Sequence, residues 1–169
     1  MTAAHVVVLG LMGVGKSTIG ELLAARLGCS YRDSDRDIEA ATGRTGRQIA
    51  TTSGVGELHH VEEEVLLDAL SSKLPQVISA AAWVVESPRC RAAIEQSGIA
   101  VWLELPTEKL FRRIRAGSHR REMTLAELET IVARREPLFR ELADIVVTAD
   151  GPPDDVVDQI LALVATITR

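Results

Sequence analysis

The stretch that decides the fold is His5-Val-Val-Val-Leu9 running into Gly10-Leu-Met-Gly13-Val-Gly15-Lys16-Ser17-Thr18. An apolar run of strand length meets a complete G-x-x-x-x-G-K-[ST] pattern, and apolar residues at helical spacing continue from Thr18 to Leu27. Each residue type has a task at that spacing. The glycines let the backbone turn and aim its N–H groups inward, Lys16 reaches the β and γ phosphates, and Ser17 offers a hydroxyl to Mg²⁺. The phosphates then lie at a helix N-terminus, whose partial positive charge favours them. Gly13, Val14, Gly15, Lys16, Ser17 and Thr18 are therefore expected to bind a nucleoside triphosphate, taken as ATP with Mg²⁺.

Outward from the loop, strand and helix patterns alternate. Apolar runs at His5–Leu9, Val77–Ala80, Ile99–Leu105 and Ile145–Thr148, with a shorter one at Ser30–Arg32, are separated by helical periodicity at Thr18–Leu27, Glu57–Leu70, Thr107–Arg115, Thr124–Leu142 and Asp154–Ile167. This order predicts a mainly parallel five-stranded sheet in a three-layer α/β/α fold, with the chemical loops at the carboxyl ends of the strands. The 169 residues suit one domain, 1–169. Gly151-Pro-Pro-Asp marks the last turn, with Asp154 or Asp155 placed to cap the closing helix.

Composition narrows the partners. A net charge of −5 argues against a broad nucleic-acid or membrane surface, and no apolar run approaches the roughly 18 residues of a membrane span. Cys29 and Cys90 are too few for a disulfide scaffold or a zinc site. The start Met-Thr-Ala-Ala-His lacks the basic flank of a secretory signal, so a cytoplasmic monomer is the default expectation.

Phosphoryl transfer also needs an oriented acceptor and compensating charge. Asp33 and Asp35 follow the short second strand one residue apart, and in extended backbone their carboxylates would face the same way. One can serve Mg²⁺ while the other orients the acceptor hydroxyl; capping is the competing role. The polar, basic stretch near 115–125 has the composition of a mobile lid carrying Arg120 and Arg121, and the helix beyond carries Arg134 and Arg135. His59 and His60 do not form a metal pair at their spacing, but either can hydrogen-bond an acceptor, and Glu62 stands where it can orient His59. Trp83 either walls the acceptor pocket or packs in the core.

With these residues in place the chain resembles the shikimate kinase family, small P-loop enzymes that phosphorylate the 3-hydroxyl of shikimate with ATP. The likeness covers nearly the whole chain. It rests on Gly10 to Thr18, on Tyr31-Arg-Asp-Ser-Asp-Arg-Asp-Ile-Glu39, on Gly56-Glu-Leu-His-His-Val-Glu-Glu-Glu64 and on Arg134-Arg-Glu-Pro-Leu-Phe139. The resemblance implies that Asp33 serves magnesium with Ser17, that Asp35 binds the acceptor, that Arg120 is the lid arginine and that Arg113 packs against adenine. It makes Lys16, Asp35 and Arg120 the catalytic set and puts Asp35, His59, Ala81 and Arg135 around the substrate.

Two departures fall on the acceptor side. His59 stands where the family has a carboxylate-binding arginine, and Ala80, Ala81 and Ala82 stand where it has three glycines. A neutral histidine cannot replace a bidentate clamp, and three methyl groups crowd a close backbone approach. The lid also reads Arg120-Arg-Glu-Met in place of the family's Arg-Pro-Leu-Leu, and is expected to be short. Shikimate phosphorylation is the first expectation. Another small alcohol, such as a cyclitol or sugar acid, and a nucleotide-binding regulator with little catalysis are the alternatives.

Overall fold

A computed structural model describes residues 4–117 and 123–167. Five strands, β1 (His5–Leu9), β2 (Ser30–Asp33), β3 (Gln76–Ser79), β4 (Gly98–Glu104) and β5 (Ile145–Thr148), form one sheet in the order β2-β3-β1-β4-β5. Every pairing is parallel, with Val7 opposite Ile78 and Val8 opposite Val101. β1 is central, and its two neighbours continue to opposite edges of the sheet. A crevice therefore opens at its carboxyl end, where Gly10 begins the loop.

Side-chain alternation along β1 divides the core. Val6 and Val8 belong to the layer packed on α1 (Lys16–Leu27) and α8 (Pro153–Ile167), through Ile19, Leu23, Val157 and Ile160. Val7 and Leu9 belong to the opposite layer, against Leu66, Ala69 and Leu70 of α4 (Val55–Leu70) and Ile94 of α5 (Pro88–Ser97). Both faces of a parallel sheet are thus covered, which explains why β1 reads as a continuous apolar run. α7 (Leu125–Leu142) contributes Leu128 to the first layer and Phe139 to the second.

The expected strands and helices are present with ends shifted by one or two residues. Four elements lie outside the expected runs: α2 (Ser34–Thr42), α3 (Gly46–Ser53), α5, and a 3₁₀ turn at Ala82–Glu86. α2 and α3 lean on α4 through a small cluster of Ile38, Ile49 and Val65. α6 (Thr107–Ala116) precedes residues 118–122, so Arg120 and the centre of the expected lid lie outside the described residues. Asp154 and Asp155 do not cap α8, which begins at Pro153; they occupy its first turn, where carboxylates complement the helix dipole.

Candidate active site

The loop after β1 closes against β4. Gly10 has a φ of 149°, and a Cβ there would meet the Leu103 carbonyl oxygen at 2.8 Å and Val14 Cγ1 at 2.9 Å, so no other residue fits. Gly15, with φ 107°, caps α1, whose first residues are Lys16 and Ser17. Lys16 Nζ donates to the carbonyl oxygens of Gly10 (2.9 Å) and Leu11 (3.1 Å), which keeps the ammonium inside the curve of the loop. Ser17 and Thr18 expose their side chains at the mouth. Arg113 bridges the two sides of that mouth, donating to the carbonyl oxygens of Val14 (3.0 Å) and Ala149 (3.0 Å).

Asp33 and Asp35 are not successive same-face residues of one strand. β2 ends at Asp33, which is the N-cap of α2, and Asp35 already lies in the first helical turn. The extended-backbone reading fails because the carboxylate of Asp33 itself starts the helix. Its Oδ1 accepts from the backbone N–H of Asp35 (3.0 Å) and Arg36 (3.4 Å), while Oδ2 accepts from the Ser17 hydroxyl at 2.7 Å and the Tyr31 hydroxyl at 2.9 Å. Capping and function, treated as competitors in the sequence, use different oxygens of the same group. Burial pushes the Asp33 carboxyl up, but the hydroxyls of Ser17 and Tyr31 and the two backbone donors outweigh it and hold the group below the ordinary carboxylate range. An ionised carboxylate beside a hydroxyl at the start of a phosphate-binding helix is the hard-oxygen set that Mg²⁺ takes.

The residues expected on the acceptor side include His59 of α4, Ala81 after β3 and Arg135 of α7. His59 stacks on Trp83 with ring centroids 4.1 Å apart and planes within 6°. Trp83 therefore walls this corner rather than vanishing into the core; it is half-buried. Burial, then the positive charge of Arg135, lowers the histidine's pKa and so favours the neutral ring. Arg135 is buried on α7, and its Nε donates to Glu86 Oε1 at 2.5 Å; Arg134 Nε reaches the same oxygen at 3.1 Å. Ala81 takes φ −60° and ψ 146°, and among the described residues only glycines have positive φ, so the alanines follow β3 without backbone strain.

Glu62 departs from its expected role. Its Oε2 is fully buried without a hydrogen-bond partner, and His59 is held by Trp83. Burial, then the nearby charge of Asp35, pushes the Glu62 carboxyl up to about 7, against the opposing pull of Arg135 and Lys16. That set of neighbours puts Lys16, Asp35 and Arg135 within electrostatic reach of one carboxyl. Glu86, Tyr31 and Ser79 had no assigned role in the sequence. Tyr31 had a readable signal, because it precedes Asp33 by two residues on one strand face; Glu86 had none.

Residues 12–165 match the family model described as shikimate kinase. The chain belongs to the shikimate kinase family. A shikimate kinase of Synechococcus sp. (strain CC9902) is 33% identical over 174 residues, covering 100% of this chain and 90% of that protein. One from Symbiobacterium thermophilum is 34% identical, covering 93% of this chain and 94% of its own. The solved shikimate kinase of Acinetobacter baumannii in complex with shikimate superposes with a TM-score of 0.90 at 29% identity, covering 98% of this chain and 94% of that one. The fold is accordingly the P-loop kinase fold, and membership of the shikimate kinase family makes the protein an ATP-dependent small-molecule kinase.

Proposed function

We propose that the protein transfers the γ-phosphoryl group of ATP to a hydroxyl of shikimate, the 3-hydroxyl by family resemblance. The observation that carries this reading is that Asp35, Arg135 and Lys16 all lie within electrostatic reach of the Glu62 carboxyl, which sets the loop lysine and the α7 arginine on the same side of the fold. The acceptor oxygen forms a bond to the γ phosphorus as the bond to the β,γ-bridging oxygen breaks, ADP leaves, and the hydroxyl proton passes to Asp35. Lys16 compensates the charge that spreads over the moving group. Ser17 and Asp33 would hold Mg²⁺, which when bound would supply Lewis-acid charge neutralisation to the phosphates. Arg135 binds the acceptor carboxylate through its Nη edge, because Glu86 engages Nε. His59, Trp83 and Ala81 line the acceptor corner and Arg113 lies on the adenine side, while the role of Arg120, which lies outside the described residues, rests on the family resemblance alone.

The other acceptors that His59 and Ala80–Ala82 leave open, and the regulator with little catalysis, are not favoured by the family match. A coupled ADP-release assay tests the reading. Release that saturates with added shikimate supports it; release indifferent to shikimate refutes it.

A further inference from the structure

Asp33 Oδ2 is held by two hydroxyls from different elements. The backbone N–H groups of Asp35 and Arg36 hold Oδ1, but if Ser17, which belongs to the loop before α1, were recruited by a cation, Oδ2 would be left without that donor. The second donor, Tyr31, comes from β2 and stands outside the loop. Its hydroxyl lies 2.9 Å from Asp33 Oδ2 and 2.9 Å from Ser79 Oγ, and Ser79 Oγ lies 2.9 Å from the Lys16 carbonyl oxygen. Tyr31 has a single proton, and the carboxylate, which can only accept, is its strongest recipient. Ser79 then donates its own proton to the Lys16 carbonyl or to the phenol oxygen. The chain Lys16–Ser79–Tyr31–Asp33 ties the first turn of α1, the end of β3 and the end of β2 into one frame.

The space for that frame is built into α1. A Cβ at Gly20 would meet Ser79 Oγ at 2.4 Å and Tyr31 Cε2 at 2.6 Å, well inside any real contact. A helix-interior glycine is ordinarily destabilising relative to alanine. Here it lets the phenol ring and the Ser79 hydroxyl lie against the helix that carries Ser17.

We propose that Tyr31 is a positioning residue: through its hydroxyl it fixes the Asp33 carboxylate in the orientation that Mg²⁺–nucleotide binding requires, with Ser79 and Gly20 as the supports that place the ring. This rests on the assignment of Asp33 and Ser17 to Mg²⁺ made above. The described hydrogen bonds of the Tyr31 hydroxyl go to protein groups, and in this proposal it acts through Asp33.

The test compares the full-length protein with Tyr31→Phe and Gly20→Ala, titrating ATP calorimetrically without acceptor over a range of Mg²⁺ concentrations and recording the melting temperature of each. Tyr31→Phe is expected to raise the half-saturating Mg²⁺ about tenfold, the effect of losing one hydrogen bond to a charged group. Metal-free ATP affinity stays unchanged. Gly20→Ala, which displaces the ring, shifts the same quantity in the same direction. A wild type whose ATP affinity ignores Mg²⁺ overturns the metal assignment and the role of Tyr31 with it. A wild-type response that Tyr31→Phe retains, or a change that only follows lost metal-free affinity or lost thermal stability, overturns the role of Tyr31 alone.

Discussion

Glu62→Gln should make the protein more stable in alkaline solution and change how its stability depends on pH. In the folded state the Glu62 carboxyl holds its proton up to about 7, whereas a carboxyl with the ordinary value of 4.5 has already lost it in the unfolded chain. Between those values the folded state binds more protons, so stability contributed at this site falls as pH rises through the window. The cause is burial first and the charge of Asp35 second, with Arg135 and Lys16 opposing. At about 1.4 kcal/mol per pH unit, the loss accumulates to about 3 kcal/mol by pH 8. The amide that Glu62→Gln introduces carries no charge and escapes it. Reversible urea unfolding of both proteins at steps from pH 4.5 to 8.5 reads the effect as a difference, in which titrations elsewhere largely cancel. The variant should gain on the wild type by about 3 kcal/mol across the window, or about 6–12 °C in melting temperature for a domain of this size. A difference that stays flat between pH 5 and 8 would refute the claim that the Glu62 carboxyl holds a buried, unpartnered oxygen.

Two substitutions separate the halves of the site. Lys16→Ala should abolish phosphoryl transfer while leaving far-ultraviolet circular dichroism unchanged, because the described hydrogen bonds of the ammonium go to carbonyls of its own loop; retained turnover would remove Lys16 from the mechanism. Arg135→Ala should raise KM for shikimate by about 100-fold and leave the KM for ATP within a few-fold, as expected when a charge-assisted pair is lost on the acceptor side alone; equal changes in both constants would contradict that placement.

The nucleotide half was legible because its chemistry is local. Gly10, Gly15, Lys16 and Ser17 act through backbone geometry and sequence-adjacent atoms, and the run before them can only be a buried strand. Asp33 and Asp35 were found by type, but their geometry was misread, since period-two alternation was carried past the residue that caps the next helix. α3 and α5 had their own signals in the Thr45-to-Gln48 capping box and in Ser87 before Pro88, both of which form in the structure. Each helix buries only one or two residues, so hydrophobic periodicity passed over them. The acceptor corner was the least legible. Stacking of His59 on Trp83 and the pairing of Glu86 with Arg135 join residues from three separate elements, and the unpartnered oxygen of Glu62 exists only in the folded chain, where charges from α1, α2 and α7 act on it.

The most direct test of the account follows the phosphoryl group itself. Purified protein incubated with ATP labelled in the γ position, Mg²⁺ and shikimate should move the label into a shikimate monophosphate, one equivalent for each ADP formed. Label recovered only as inorganic phosphate or unreacted ATP, with shikimate left intact, would contradict it.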